Sequence, residues 1–230
     1  MASVFLDVGG TIVDFRPNYF EPIYSVLHGN GYNIKEKTVF RVISSYLGSR
    51  RIKFVNGNPV INFDDLLDEM KLNVDKKTRN ELLSLDFSSS TYSIYPDTID
   101  FLEWLGKKGF RSHIISNASE KLHSVLNELD LKKYFSDITI SYEVGAAKPS
   151  ETIFKVALQR AGEAGPFIGD IYEVDYLGGK NAGFKPILID RFGFYDDLEG
   201  VKLIKNLSEA KPLIERVFNS TISTSGTYPS

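Results

Sequence analysis

Polar side chains that could carry out chemistry recur at four places in this sequence, each of them after a short apolar run. Asp7 follows the first run, Ser116 and Asn117 follow the second, Lys148 comes after the third, and Asp170 follows the fourth. Asp, Asn and Ser often terminate strands or cap helices, so one such residue alone indicates little. Four sites in strand order are poorly explained by capping, and we treat them as one candidate functional site.

The residue types at these places fit phosphoryl transfer. Two carboxylates held close together, such as Asp7 and Asp170, repel each other unless a cation lies between them, and hard oxygen ligands suit Mg²⁺. A lysine such as Lys148 would balance an anionic nucleophile and a transferring phosphoryl group. An aspartate that attacks phosphorus would form an aspartyl phosphate, which water then opens.

Phosphate oxygens would also need hydrogen-bond donors. The hydroxyl groups of Thr11 and Ser116 are candidates, together with the amides of the Gly-Gly turn that follows Asp7. The three histidines, in contrast, show no metal-ligand spacing, and His113 is predicted to be a core or sheet-face residue because it lies inside an apolar run.

The elements that must position these residues alternate between short apolar runs and amphipathic stretches, which is typical of a Rossmann-like parallel α/β sheet covered by helices on both faces. The predicted strands are Ser3–Leu6, Ser112–Ile115, Asp137–Ser141, Pro166–Ile168 and Pro186–Ile189. The predicted helices are Asp97–Lys108, Ser119–Leu129, Ser150–Ala161 and Val174–Ala182. Because the carboxyl ends of parallel strands share one edge, the candidate residues should converge there.

Residues 15–93 break this alternation. Helical periodicity occurs in Tyr19–Leu27, Glu36–Tyr46, Phe63–Met70 and Lys76–Leu85, without a strand-like run comparable to the others. The pattern predicts an all-helical insertion after the first strand, so that residues 1–14 and 94–218 form the α/β core. Residues 219–230 are rich in Ser and Thr and are predicted to be a disordered tail.

Composition excludes several classes of function. A chain of 230 residues with 42% hydrophobic content can bury a full core, whereas a net charge of -3 disfavours a nucleic-acid or anionic-membrane partner. The absence of cysteine excludes disulfides and thiolate chemistry. Because no apolar run reaches about 20 residues and the N-terminus lacks a secretion signal, we expect a soluble, cytoplasmic protein. The oligomeric state is not indicated.

The stretch FLDVGGTIVD also fits the first phosphate loop of a sugar-kinase-type fold. That fold continues as a hairpin of alternating β residues after the threonine. Here Pro17 interrupts the continuation, which then becomes helical, and a second glycine-rich phosphate loop is missing. This interpretation is therefore rejected.

The segments DVGGT, SN, AAKPS and GDIYEVD, in this order, resemble the four motifs of the haloacid dehalogenase-like (HAD) hydrolase superfamily. The resemblance covers about residues 3 to 190, and the insertion resembles that family's C1-type helical cap. It implies that Asp7 is the nucleophile and that Lys148 orients and neutralises. It also implies a Mg²⁺ cofactor and two groups of ligands. The metal ligands would be Asp7, the carbonyl of Gly9, Asp170 and Asp175, and the substrate-binding residues would be Thr11, Ser116 and Asn117.

One position departs from the family's pattern. In the family's phosphatases the second residue after the nucleophile is usually Asp, which acts as general acid and base, but here it is Gly9. The carbonyl of Gly9 can still bind the metal, whereas the lost acid is typically worth about 10²–10⁴-fold in rate. A good leaving group such as an acyl phosphate, an acid from the cap, or a chemistry that needs no acid would each compensate.

The resemblance therefore predicts a Mg²⁺-dependent small-molecule phosphohydrolase with a small anionic substrate, and it leaves alternatives open. A 2-haloacid dehalogenase attacks carbon without Mg²⁺ and typically has an altered fourth motif, whereas Gly169, Asp170 and Asp175 are present here. A phosphonatase needs a cap lysine, for which Lys53 is the candidate. A catalytically weak phospho-ligand-binding protein is the third alternative. Arg50 and Arg51 could grip an anionic substrate or complement a helix dipole.

Overall fold

The computed structural model describes residues 2–49, 52–87 and 91–224. Within these residues the chain forms ten β-strands, and six of them build one parallel sheet. The strands are β1 (Ser3–Leu6), β2 (Val13–Arg16), β3 (Lys53–Val55), β4 (Asn58–Val60), β5 (Thr91–Ile94), β6 (Arg111–Ser116), β7 (Phe135–Ile140), β8 (Pro166–Gly169), β9 (Lys185–Ile189) and β10 (Leu203–Ile204).

Ten α-helices occur in the described residues, together with a π-helical turn at Tyr172–Tyr176 and two short 3₁₀ turns. The helices are α1 (Glu21–Gly29), α2 (Glu36–Gly48), α3 (Phe63–Glu69), α4 (Lys76–Leu83), α5 (Thr98–Lys107), α6 (Leu122–Glu128), α7 (Ser141–Val144), α8 (Glu151–Ala161), α9 (Leu177–Asn181) and α10 (Ala210–Thr224). None of the described helices is long and apolar enough to cross a membrane.

The main sheet has the strand order β10-β9-β8-β1-β6-β7, and every neighbouring pair is parallel. Successive side chains of a strand point to opposite faces, so Val4 and Leu6 join the cluster that contains residues of α5, α6 and α10, whereas Phe5 joins the cluster with α8. Strand β1 is buried on both faces, as its continuous apolar sequence predicts. Because β1 lies between β8 and β6, the residues that follow these three strands are neighbours.

The five predicted core strands are all present, with ends within two residues of the prediction. The sequence analysis missed β10, which is only two residues long and therefore lacks a recognisable apolar run. It also predicted disorder for 219–224, which is wrong because α10 extends to Thr224. Residues 225–230 lie outside the described part of the chain.

The insertion is attached to the core through an antiparallel pair of strands. In this pair, β2 lies against β5, with Val13 opposite Ile94 and Arg16 opposite Thr91. The predicted boundaries at residues 14/15 and 93/94 fall within this pair. We use "cap" below for the described residues between β2 and β5, that is, residues 17–49 and residues 52–87.

Helices α1 to α4 of the cap match the four predicted helices, but the description of the insertion as all-helical is wrong. Strands β3 and β4 form a hairpin in which Lys53 lies opposite Val60. Its turn residues Asn56 and Gly57 have φ angles of 50° and 80°, the left-handed conformation that an Asn-Gly turn favours. The strands have three residues each, so the alternation that identifies a strand in sequence is hardly visible.

The cap has its own hydrophobic cluster, which continues into the core. Cap residues such as Phe20, Phe40 and Ile43 share this cluster with Leu188 of β9 and Tyr195 of the loop after β9. The ring of Phe40 is 5.4 Å from that of Tyr195, in an edge-on arrangement. Phe20 and Phe40 therefore belong to the core of the cap and also hold the cap against the sheet.

Candidate active site

Asp7, Asp170 and Asp175 lie together at the carboxyl edge of the sheet, although Asp7 is far from the other two in sequence. All three are buried, and each offers an oxygen within 4.8 Å of the others. The amide of Asp7 donates to the carbonyl of Ile168 at 2.8 Å, which extends the pairing of β1 with β8 up to the site. The predicted convergence of these residues on one sheet edge is confirmed.

Lys148 joins this group from the loop after α7. Its Nζ lies 2.7 Å from Oδ1 of Asp7 and 2.7 Å from Oδ1 of Asp175, and the side chain is 2% exposed. The contact with Asp7 is a hydrogen bond, and the contact with Asp175 is an ion pair. Burial by itself lowers the pKa of Lys148, but the attraction of Asp175 and Asp7 outweighs it, and the pKa is raised. The lysine is therefore charged.

The three carboxylates exceed the charge that Lys148 can balance. Burial raises the pKa of Asp170 well above its ordinary value, and repulsion from Asp175 and Asp7 adds to this effect. Burial also raises the pKa of Asp175, although Lys148 opposes the shift. A buried group of three aspartates and one lysine is the environment in which a divalent cation relieves repulsion, so the donor set fits Mg²⁺.

The oxygens of Asp175 are already engaged. Its Oδ1 contacts Lys148, and its Oδ2 accepts the amide of Ile171 at 2.9 Å. The amide of Asp175 donates in turn to the carbonyl of Ile171 at 2.7 Å, and the amide of Tyr176 donates to the same carbonyl at 3.4 Å in the bond that forms the π-helical turn. Asp7 and Asp170 are consequently better placed to bind a cation directly, and Asp175 better placed to bind it through water.

Of the two glycines in the loop between β1 and β2, only Gly10 lies so close to another residue that a side chain would collide with it. Gly10 has a φ of 68°, and a Cβ there would lie 2.2 Å from Oδ2 of Asp170. A Cβ at Gly9 would meet only the ring of Phe15, at an ordinary 3.6 Å. The carbonyl of Val8 accepts three amides of this loop, whereas no backbone amide of the described residues donates to the carbonyl of Gly9. That carbonyl is free to bind a metal.

Thr11 lies within this loop and Ser116 lies at the end of β6, and both residues are buried. The hydroxyl of Thr11 has no hydrogen-bonding partner among the described residues, whereas its carbonyl accepts two bonds from Arg191, at 3.2 Å and 2.5 Å. The sequence analysis missed Arg191, which also pairs with Asp97 at 3.0 Å and lies 3.7 Å from the ring of Tyr95. It fixes the loop that follows the candidate nucleophile, and no motif in the sequence marks it.

Asn117 holds the loop of Lys148 in place. Its Oδ1 accepts the amide of Lys148 at 2.7 Å, and its Nδ2 donates to the carbonyl of Lys148 at 2.9 Å. The resemblance implied that Asn117 binds substrate, but the structure places both ends of its amide on the backbone of Lys148. Ser116, at the end of β6, remains the candidate of this pair for binding a substrate.

A cleft of about 1230 Å³ separates the cap from the core and reaches Lys148. Where the hairpin turn closes one end, the hydroxyl of Ser141 donates to the carbonyl of Gly57 at 2.9 Å, and a Cβ at Gly57 would lie 2.3 Å from the carbonyl of Ala118. Ser49 of the cap and Glu173 of the core line the same cleft. The sequence analysis missed both, although Glu173 lies between two motif residues in GDIYEVD.

The structure says less about Arg50, Arg51 and Lys53, the cap residues for which the sequence suggests a role in the site. Arg50 and Arg51 lie outside the described residues. Lys53 is exposed on β3, while its neighbours Ile52 and Phe54 line the cleft. In the core, His113 is 3% exposed and stacks on Phe5, so its predicted core position is confirmed.

The arrangement of these residues agrees with the sequence motifs, and a family model decides the assignment. The model described as haloacid dehalogenase-like hydrolase matches residues 1–183. The chain belongs to this family. Its fold and the hydrolase class that the motifs imply are thereby confirmed.

Proteins and solved structures that are similar to this HAD-like hydrolase carry different names. A glyceraldehyde 3-phosphate phosphatase of Methanothermobacter thermautotrophicus is 36% identical over 100 residues, which are 42% of this chain and 44% of that protein. The chain spans about half the length of the curated relatives it matches. A HAD phosphatase structure from Thermococcus onnurineus has a TM-score of 0.57 at 22% identity, covering 93% and 97% of the two chains. A 2-haloacid dehalogenase structure from Pseudomonas syringae has a TM-score of 0.56 at 20% identity, covering 94% and 99%. Because both structures are so distant in sequence, they show the fold and not the reaction.

Proposed function

We propose that this HAD-like hydrolase is a Mg²⁺-dependent phosphohydrolase of a small organic phosphate. The observation that carries the proposal is the buried group of Asp7, Asp170 and Asp175 around a single charged lysine. Attack on carbon needs only one of these carboxylates. An excess of buried negative charge at the strand ends is useful where a divalent cation and a phosphoryl group must be bound together.

Asp7 acts as the nucleophile in this proposal. One oxygen of Asp7 is held by Lys148, which leaves the other to attack phosphorus. The new O–P bond forms as the ester O–P bond breaks, and the leaving alkoxide takes up a proton from water, because Gly9 offers no acid. Water then attacks the phosphorus of the aspartyl phosphate, so that inorganic phosphate departs and the carboxylate is regenerated. Lys148 keeps its proton throughout and neutralises charge.

The residues that would hold Mg²⁺ are Asp7, Asp170 and the carbonyl of Gly9, with Asp175 binding through water. When bound, the ion supplies positive charge against the phosphoryl oxygens. Thr11 and Ser116 are the proposed phosphate donors, because both are buried at the same strand ends and the hydroxyl of Thr11 is without a partner among the described residues.

The names of relatives support this choice over its alternatives. The curated relative from Methanothermobacter thermautotrophicus, 36% identical over 100 residues, is named as a phosphatase. A dehalogenase is also among the structural neighbours, but at 20% identity it carries only the fold. A phosphonatase would need Lys53 at the site, and this lysine is exposed to solvent. Because Gly9 offers no acid, the leaving group must either depart without a proton or take its proton from water or from another group.

The test is hydrolysis of p-nitrophenyl phosphate with Mg²⁺ and with EDTA. We expect turnover that needs the metal and falls at least about 10³-fold in Asp7→Asn, because the amide is not a nucleophile. Asp100→Asn is the matched control, since Asp100 is exposed on α5 and its loss should leave the rate unchanged. Chloride release from 2-chloropropionate in EDTA, without phosphatase activity, would replace this proposal by the dehalogenase.

A further inference from the structure

The cleft between cap and core contains two polar residues, one from each side, that each bury an oxygen without a hydrogen-bonding partner among the described residues. One is Oγ of Ser49, directly after α2 in the cap, and the other is Oε2 of Glu173 in the π-helical turn. Neither residue belongs to the catalytic set described above, and neither has a role in the proposed reaction.

The two residues lie where the cap and the core are in close contact. A Cβ at Gly48, the residue before Ser49, would lie 2.4 Å from Cβ of Glu173, so the end of α2 rests directly on Glu173. Arg41, whose charge acts on Glu173, is engaged elsewhere, with its Nη1 3.0 Å from Asp197 and its guanidinium 4.7 Å from the ring of Tyr195. The buried oxygen of Glu173 is therefore not taken by this cation.

Buried polar atoms without partners are costly, typically about 1–3 kcal/mol each. Two such atoms in residues that line one cleft, one from the cap and one from the core, indicate a group that bonds to both when it is bound. The terminal torsion of a glutamate turns at low cost, so a small rotation directs its oxygen into the cleft. The seryl hydroxyl can either donate or accept a hydrogen bond.

We propose that Ser49 and Glu173 recognise hydroxyl groups on the organic part of the substrate, which assigns the substrate to the phosphorylated polyols and sugars. A vicinal diol can donate to the carboxylate and exchange a bond with the seryl hydroxyl at the same time. Among the described residues that line the cleft, Lys148 is the one cation, and it is already paired with Asp7 and Asp175.

This inference rests on the proposed function for the position of the phosphoryl group, but its test does not need turnover. Affinities for 3,4-dihydroxybutylphosphonate and butylphosphonate are measured by calorimetry in the presence of Mg²⁺. These compounds have the same chain and differ in two hydroxyl groups. We expect the wild type to bind the diol at least about 10-fold more tightly, because the alkyl compound leaves both oxygens unpaired.

Three variants test the residues themselves. Glu173→Leu and Ser49→Ala should each reduce the diol-to-alkyl ratio to about 3-fold or less, whereas Glu173→Gln should keep most of it, since an amide still bonds to a hydroxyl. Glu163→Leu, at an exposed glutamate after α8, is the control and should bind as the wild type does. A variant that merely loosens the fold would weaken both ligands equally and leave the ratio unchanged.

The outcomes separate the two proposals. The hydroxyl assignment would be overturned by a wild-type ratio near one, by a ratio that neither Glu173→Leu nor Ser49→Ala changes, or by no measurable binding. Tighter binding of 4-aminobutylphosphonate that disappears in Glu173→Gln would overturn it in favour of a cationic group. Diol preference without hydrolysis of p-nitrophenyl phosphate would refute the phosphohydrolase and leave the recognition site intact.

Discussion

Gly9 is the residue at which this chain differs most from the phosphatases it resembles. The structure gives a Cβ at this position an ordinary 3.6 Å contact with the ring of Phe15, so a larger side chain has room to begin there. The absence of an acid is therefore not imposed by crowding at Cβ. The effect of the missing acid at position 9 on the reaction rate can therefore be measured by substitution.

We expect Gly9→Asp to accelerate the hydrolysis of substrates with poor leaving groups by about 10²-fold, because the new carboxyl can protonate the leaving alkoxide. Hydrolysis of p-nitrophenyl phosphate should change little, since nitrophenolate leaves without a proton. The ratio of kcat/KM for the two substrates is the measurement. Gly9→Asn controls for size and polarity, and an equal gain in Gly9→Asn would show that protonation is not the reason.

At the scale of the element, the loop from β1 to β2 depends on Gly10 for a reason that does not apply to Gly9. We expect Gly10→Ala to lower the free energy of unfolding by about 1–3 kcal/mol, because φ is positive and the new Cβ would collide with Asp170. Urea denaturation measures the change. Gly9→Ala is the matched control, with no positive φ and no close contact, and an equal loss in both variants would contradict the explanation.

At the scale of the whole molecule, the carboxyl edge of the sheet concentrates negative charge that a cation should stabilise. We expect Mg²⁺ at a hundredfold excess over its Kd to raise the free energy of unfolding by about 2.7 kcal/mol, and EDTA to remove the gain. Thermal unfolding measures it as a shift in Tm. Asp170→Asn should abolish the shift and Asp100→Asn should keep it; a shift that persists in Asp170→Asn would place the ion elsewhere.

Outside the candidate site, the interior also contains the titratable side chain of His113. Both ring nitrogens of His113 are buried without partners among the described residues, and burial lowers its pKa. The unfolded chain takes up this proton near its ordinary pKa of about 6.5, whereas the folded protein does so only at lower pH. Stability should therefore be unaffected by His113 above about pH 6.5 and should fall below it, by up to about 1.4 kcal/mol per pH unit.

Denaturation curves between about pH 5 and 8 test this effect of His113. His113→Leu should flatten the decline on the acid side of the ordinary histidine pKa, and His28→Leu, at an exposed histidine, should not. Parallel curves for the wild type and His113→Leu would show that other groups, such as the buried carboxylates, cause the acid sensitivity.

The sequence by itself determined the parallel α/β core, the family and the candidate site residues. These features depend on local signals: continuous apolar runs, glycines after helices, and polar residues directly after strands. The order of the motifs along the chain was enough to predict that Asp7 and Asp170 meet, because parallel strands end at a common edge. The hairpin of the cap had its own signal in Asn56-Gly57, which the three-residue strands made easy to overlook.

Only the tertiary structure decided which groups contact each other. The pairing of Lys148 with Asp7 and Asp175, the hold of Asn117 on the backbone of Lys148, and the anchoring of Thr11 by Arg191 join residues that are distant in sequence. The same is true of Gly48 and Glu173, which are in contact because helix α2 of the cap packs on the core. Periodicity describes the face of an element, but the packing of one element on another fixes the partner of each side chain.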